Sequence, residues 1–150
     1  MNLRIRKATT YDLNGIYACA QRFFEYAGYA EQHAMPLDEY SFKSMVTKYI
    51  QEGVCFLLVE GMEVRGGVCG IVLSWGFNQN IKIALELFYW VDENCRGRKS
   101  IELLKTYEDE VKRQGAKNIM IQPETELTSK VGRLYERRGY VPFERFWIRE

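Results

Sequence analysis

The sequence predicts a mixed α/β domain spanning 1–150, a central mixed sheet flanked by helices, in the order β-α-α-β-β-β-α-β-α-β-β. Three observations carry that prediction. Strand-type and helix-type apolar periods alternate along all 150 residues, with no repeat, linker or low-complexity tract between them. The run Ala84–Val91 is apolar at both parities apart from Glu86, the pattern of a strand buried on both faces. The stretch Leu85–Lys117 reads as that strand, then a short basic loop holding Arg96-Gly97-Arg98, then an amphipathic helix closed by Gly115.

Taken in order, Leu3–Lys7 alternates apolar and basic residues, as a half-buried strand does. Thr9 followed by Asp12 offers a capping box for a helix carrying Leu13, Ile16, Tyr17, Ala20, Phe23, Phe24 and Ala27. Gly28–Pro36 breaks the period, and Asp38 caps a second helix with Phe42, Met45, Tyr49 and Ile50, stopped by Gly53. Val54–Glu60 and Gly67–Trp75 are strands joined by a turn at Gly61 and Gly66. Gly76–Asn80 is turn chemistry leading into the strand Ile81–Val91. The next helix, about Ser100–Gln114, is expected to bury Ile101, Leu104, Tyr107 and Val111. Glu108–Lys112 and Asp109–Arg113 would pair on its outer face. Asn118–Gln122 is a short strand and Pro123 a break. Ser129–Arg138 is a helix with Val131, Leu134 and Tyr135 inward, capped by Gly139, and Val141–Ile148 supplies closing strands around Pro142.

Composition narrows the partners. Lys plus Arg is 21 and Asp plus Glu is 20, so no global charge points to nucleic acid or to a membrane surface. No apolar run is long enough to cross a bilayer, and MNLRIRKATT has no signal-peptide core, so a cytoplasmic location is expected. Cys19, Cys55, Cys69 and Cys95 form no C-x-x-C pair, and with His33 as the single histidine they make a poor metal set; reduced thiols and no metal site are expected. The loop at Arg96, Gly97, Arg98, Lys99 and Ser100 is the strongest ligand signal. Amides at a helix start lack intrahelical acceptors and sit at the positive end of the helix dipole, so a phosphate-bearing ligand is expected there. The competing reading is an ordinary solvated loop with a good cap. A P-loop is excluded, because Val91-Asp92-Glu93-Asn94 precedes the basic residues without the upstream glycine.

Two motifs resemble the GNAT superfamily of acyl-CoA-dependent N-acyltransferases. One is a strand, a loop of the form R/Q-x-x-G-x-G/A and a helix, matched by Val91, Arg96-Gly97-Arg98 and the Ile101–Gln114 helix. The other is a helix ending in a LYEKLGF-like segment, matched by Leu134-Tyr135-Glu136-Arg137-Arg138-Gly139-Tyr140. The likeness covers most of the chain and is strongest from Ile81 to Phe146. The C-terminal half also loosely resembles GNAT-type proteins carried by tailed phages. Lys99 and Ile101 depart from the motif's small residues. Either Lys99 replaces backbone contacts by a charge-assisted bond to phosphate, or its side chain fills the site.

The resemblance implies acetyl-CoA as co-substrate, held through its diphosphate by Arg96, Gly97, Arg98, Lys99 and Ser100, with the Val91 backbone pairing the pantetheine arm like an added strand. It implies that Tyr135 protonates the departing thiolate, the bland alternative being a core tyrosine beside Val131 and Leu134. Glu86, the one charge in its strand, is the candidate general base; the alternatives are a salt bridge to an arginine or a solvent-facing place where the sheet splays. Tyr26, Tyr29, Glu31 and His33 fall in the loop that in this superfamily lines the acceptor pocket. Trp75 and Trp90 read as core or pocket wall. The expected activity is N-acetyl transfer to a primary amine, of a small molecule or a peptide, by direct attack; a homodimer is compatible with it. The alternative from another class is a non-catalytic module that kept the fold and lost the cofactor. A base-modifying enzyme is disfavoured by the balanced charge.

Overall fold

The computed structural model describes residues 2–122, 129–143 and 149. Among these residues five strands, β1 (Leu3–Lys7), β2 (Val54–Glu60), β3 (Glu63–Trp75), β4 (Asn78–Val91) and β5 (Asn118–Met120), form one sheet in the order β1-β2-β3-β4-β5. The first four pair antiparallel and β5 joins β4 in parallel. The helices are α1 (Leu13–Ala27), α2 (Tyr29–His33), α3 (Glu39–Glu52), α4 (Arg98–Arg113) and α5 (Ser129–Arg137).

Side-chain alternation along β2 divides the core in two. Val54, Phe56 and Leu58 point to α4 and meet Leu103, Leu104, Tyr107 and Val111. Cys55, Leu57 and Val59 point the other way, to Ile16, Ala20, Phe42 and Val46 of α1 and α3. Each fully buried aliphatic side chain in these layers contributes about 1.5–3 kcal/mol, so β2 is the seam that holds both helical layers to the sheet.

The caps expected from sequence are present. Thr9 N donates to Asp12 Oδ2 at 2.8 Å, and the Arg6 guanidinium grips both Asp12 oxygens at 2.9 and 2.7 Å, lowering that carboxyl's proton affinity. Asp38 Oδ2 accepts from Ser41 N at 2.9 Å. Gly139 adopts φ +88° after α5.

Several boundaries differ from the sequence reading. Gly28–Pro36 contains the short helix α2. Gly66 lies within β3, which begins at Glu63, so the hairpin turn is Gly61-Met62 alone. Strand β4 starts at Asn78, leaving only Gly76-Phe77 as turn. The apolar run Ala84–Val91 is not covered evenly, since Leu85 stays 37% exposed. Strand β5 stops at Met120. Helix α4 starts two residues early, and its inward stripe runs Ser100, Leu103, Leu104, Tyr107, Glu108 and Val111, so Ile101 is 41% exposed rather than buried. Residues 141–143 are not strand. Pro123 and 144–148 lie outside the described residues, as do the side chains of Tyr29, His33 and Val131.

Glu108 is the most consequential of these differences. Expected on the outer face, it is buried, accepting from Arg138 Nε at 3.0 Å and from the Tyr140 hydroxyl at 2.7 Å. Arg113 pairs instead with Glu110. Two residues of the Leu134–Tyr140 motif therefore clasp the middle of α4. Glu108→Ala would leave Arg138 and the Tyr140 hydroxyl half-buried and unpaired, with an expected loss on the order of 2–4 kcal/mol in urea unfolding. A change under 0.5 kcal/mol would show the clasp to be incidental.

Candidate active site at the parting of two strands

The site begins with a register shift. Cys69 faces Phe88 and Gly70 faces Glu86, so Leu87 is an extra residue in β4, a β-bulge that bends the strand. On the other edge of β4 the parallel ladder runs Ile83↔Asn118, Ala84↔Ile119 and Leu85↔Met120, and then ends. From Glu86 to Val91 that edge has no strand partner among the described residues.

Glu86 sits where the two strands part. It is 7% exposed, and its Oε2 accepts from Gln122 N at 3.2 Å, in place of the next rung of the ladder. Among the described residues it has no cationic partner. Its Oε1 is buried and has no hydrogen-bond partner among the described residues. Burial pushes the carboxyl up to about 8, opposed only by the Gln122 amide.

Past Val91 the chain makes a 3₁₀ turn at Glu93–Cys95 and reaches α4 through Gly97, whose φ of +146° suits glycine, and where an added Cβ would meet nothing within 4 Å. The Ser100 hydroxyl closes the helix start, accepting from Gly97 N at 3.0 Å and donating to Gly97 O at 2.6 Å; the Tyr89 hydroxyl donates to Ser100 O at 2.6 Å. What Ser100 offers a ligand is its amide, beside those of Arg98 and Lys99. The Lys99 side chain is 44% exposed and pairs with Glu102 at 3.1 Å, and Ile101 is also exposed, so neither is packed into the sheet.

Arg96 is placed differently from its neighbours. Its Nε donates to Val91 O at 3.1 Å and its guanidinium lies 5.3 Å from the centre of the Tyr26 ring. It thus caps the last carbonyl of β4 and faces α1. There it borders a cleft of about 540 Å³ lined by Phe23, Tyr26, Trp90, Arg22 and Asp92. Trp90 stacks on Phe23 at 4.6 Å and on Phe88 at 4.4 Å, as a pocket wall does. Asp92 holds Arg22 through Nε at 3.1 Å and Nη2 at 3.0 Å. Sequence reasoning missed Arg22 and Asp92; an acid directly after an apolar strand was the available signal.

Tyr135 and Val91 are both half-buried against the α4-side core, and the Tyr135 ring lies 5.6 Å from that of Tyr140. The four cysteines are buried and none is in a disulfide; burial raises the thiol of Cys19 to about 12, and a hydrogen bond with Cys55 together with burial raises that of Cys69, so neither is a nucleophile at neutral pH. No described helix is long and apolar enough to cross a membrane.

The chain has the fold of the GNAT superfamily, as the two sequence motifs implied. It is similar over 99% of its length, with a TM-score of 0.77 and 12% identity, to 96% of a predicted acetyltransferase of Clostridium acetobutylicum with acetyl-CoA. A GCN5-related N-acetyltransferase of Ralstonia eutropha matches at TM-score 0.72 and 19% identity, over 99% of both chains. An aminoglycoside acetyltransferase from an uncultured soil metagenomic sample, in complex with sisomicin, matches at 0.69 and 14%, over 99% of this chain and 94% of that one. No protein-family model matches the sequence, and no curated protein matches it.

Proposed function

We propose that this chain is a single-domain, cytoplasmic N-acetyltransferase that moves an acetyl group from acetyl-CoA to a primary amine. The observation that carries the reading is the end of the β4–β5 ladder at Leu85↔Met120, beyond which the β5-side edge of β4 has no strand partner among the described residues on the way to the start of α4. Acetyl-CoA supplies an activated thioester, and the amine displaces its thiolate by direct attack. The amides of Arg98, Lys99 and Ser100 hold the diphosphate, with the side chains of Arg98 and Lys99 adding charge. Gly97 keeps that approach open. Arg96 releases the Val91 carbonyl, and the Val91 backbone then pairs the pantetheine arm and polarises the acyl carbonyl. Glu86, poised near neutrality by its burial, takes the proton of the amine directly or through water, and Tyr135 gives one to the leaving thiolate.

The acceptor is a small-molecule or peptide amine. Similar structures include the aminoglycoside enzyme and a ribosomal-protein-alanine N-acetyltransferase of Brucella melitensis, which act at the two ends of that range. The exposed Lys99 and Ile101 side chains weigh against a module that has lost its cofactor. Calorimetric titration with acetyl-CoA, followed by thiol release across a panel of amines and N-terminal peptides, tests the reading. Micromolar binding with amine-dependent thiol release is expected; no heat at millimolar acetyl-CoA would overturn it.

A further inference from the structure

The cleft of about 540 Å³ at the end of β4 is of small-molecule size, inside the usual range of about 300–1,000 Å³. Val91 lines it, and the function proposed above puts the acyl carbonyl on the Val91 backbone, so an occupant of the cleft lies beside the reacting atoms. The charges around it differ in what they leave open. Asp92 is already satisfied: Oδ1 accepts from Arg22 Nε at 3.1 Å, Oδ2 pairs with Arg22 Nη2 at 3.0 Å, and Arg65 Nη1 stands 3.7 Å away. Arg65 is shared further with Glu60 and Glu63, at 3.1 and 2.6 Å. Glu93 is exposed. Arg96 is exposed too and has no carboxylate partner among the described residues. Only its Nε is engaged, on Val91 O, which leaves both terminal amino groups open.

The apolar side of the cleft is rigid. Trp90 is clamped between Phe23 and Phe88, with ring centres at 4.6 and 4.4 Å. Tyr26 is 46% exposed and carries the Arg96 guanidinium 5.3 Å from its centre, so a flat ring and an open cation are presented side by side. We infer that this cleft is the acceptor subsite and that it selects a small aminocarboxylate with a flat apolar body. The carboxylate takes two parallel N–H bonds from the Arg96 amino groups, the body lies along Tyr26 and Trp90, and the amine points toward Val91. A polycation would meet three arginines against two acids, the inner acid being already neutralised by Arg22. A protein N-terminus lacks a carboxylate close to its amine. The acceptor role rests on the acetyl transfer proposed above; the cleft's preference among ligands does not.

The test therefore begins with the chain alone. The indole N–H of Trp90, assigned in NMR spectra by its loss in Trp90→Phe, is followed while L-phenylalanine, phenethylamine and sisomicin are titrated in turn. L-Phenylalanine is expected to move the resonance at millimolar concentration. Phenethylamine, the same ring and amine without the carboxylate, should bind at least ~10-fold more weakly, and sisomicin should leave the resonance in place. In Arg96→Gln the preference for L-phenylalanine over phenethylamine should disappear. Equal affinity of those two for the native chain, tighter binding of sisomicin, or no shift from any probe with or without CoA overturns the inference; none of these outcomes depends on the variant folding. Addition of CoA identifies the occupant: L-phenylalanine and CoA bound together support the acceptor subsite, and displacement of L-phenylalanine by CoA overturns it. A chain that prefers L-phenylalanine and binds no acetyl-CoA would refute the acetyltransferase and uphold the ligand class of the cleft.

Discussion

Replacing Glu86 by Gln is expected to raise the melting temperature at pH 8 by about 10 °C and to slow acetyl transfer by at least ~10²-fold. Both effects come from one buried carboxyl. Its proton is held up to about 8 in the folded chain, against 4.5 as its ordinary value. Below pH 4.5 both folded and unfolded chains carry the proton, and Glu86 costs nothing. Between 4.5 and about 8 the unfolded chain ionises while the folded one resists, so stability falls as pH rises and levels off above 8. At 1.36 kcal/mol per pH unit the accumulated penalty is about 3–5 kcal/mol. Glutamine can still accept from the Gln122 amide and never ionises, so it abolishes the penalty. The stabilisation should vanish below pH 4.5. The rate should show the opposite sign, since the native enzyme gains a base as pH rises toward 8 and the variant does not. A variant as stable as the native chain at pH 8, or one with an unchanged pH–rate profile, would remove Glu86 from the base role.

The parts of this fold that sequence foretold are those written in one dimension. The alternation of Leu3–Lys7, the capping residues Thr9 and Asp38, the stops at Gly53 and Gly115 and the helical stripe of α1 each depend on neighbours a few residues away. What escaped depends on where a second element lies. Ile101 and Leu103 are both apolar, and only the starting residue of α4 decides which faces the sheet. Glu108 beside Lys112 reads as a solvated ion pair until the end of α5 brings Arg138 and Tyr140 against it. Gly66 looks like a turn residue in sequence; it lies inside β3, as Gly70 does, and at both positions a side chain would strike the neighbouring strand or Tyr107. The bulge at Leu87 has no signature in the apolar run, yet it sets the register that puts Glu86 opposite Gly70. The candidate site was legible in its residue types, Glu86 and the Arg96–Ser100 loop, and not in its geometry. Arg96 shows the difference: grouped with the basic loop by sequence, it turns back onto Val91 and Tyr26.

Arg98→Glu separates the anion-binding role of the α4 start from its structural role, because the two respond with opposite sign. Residue 98 is the first of the helix, where the dipole favours a negative charge; a glutamate there should leave stability unchanged or raise it by about 0.3–1 kcal/mol. If the same amides hold a diphosphate, the glutamate places like charge against it and deletes a charge-assisted bond, for an expected loss of about 2–3 kcal/mol, or ~30- to 150-fold in the acetyl-CoA dissociation constant. Lys99→Ala should cost less, since Lys99 already shares its charge with Glu102. Raising the salt concentration should shrink the Arg98 effect on binding, because the side chain is exposed and screened. Equal acetyl-CoA affinity in the native and Arg98→Glu chains, with the helix intact by circular dichroism, would mean the diphosphate does not lie on this helix.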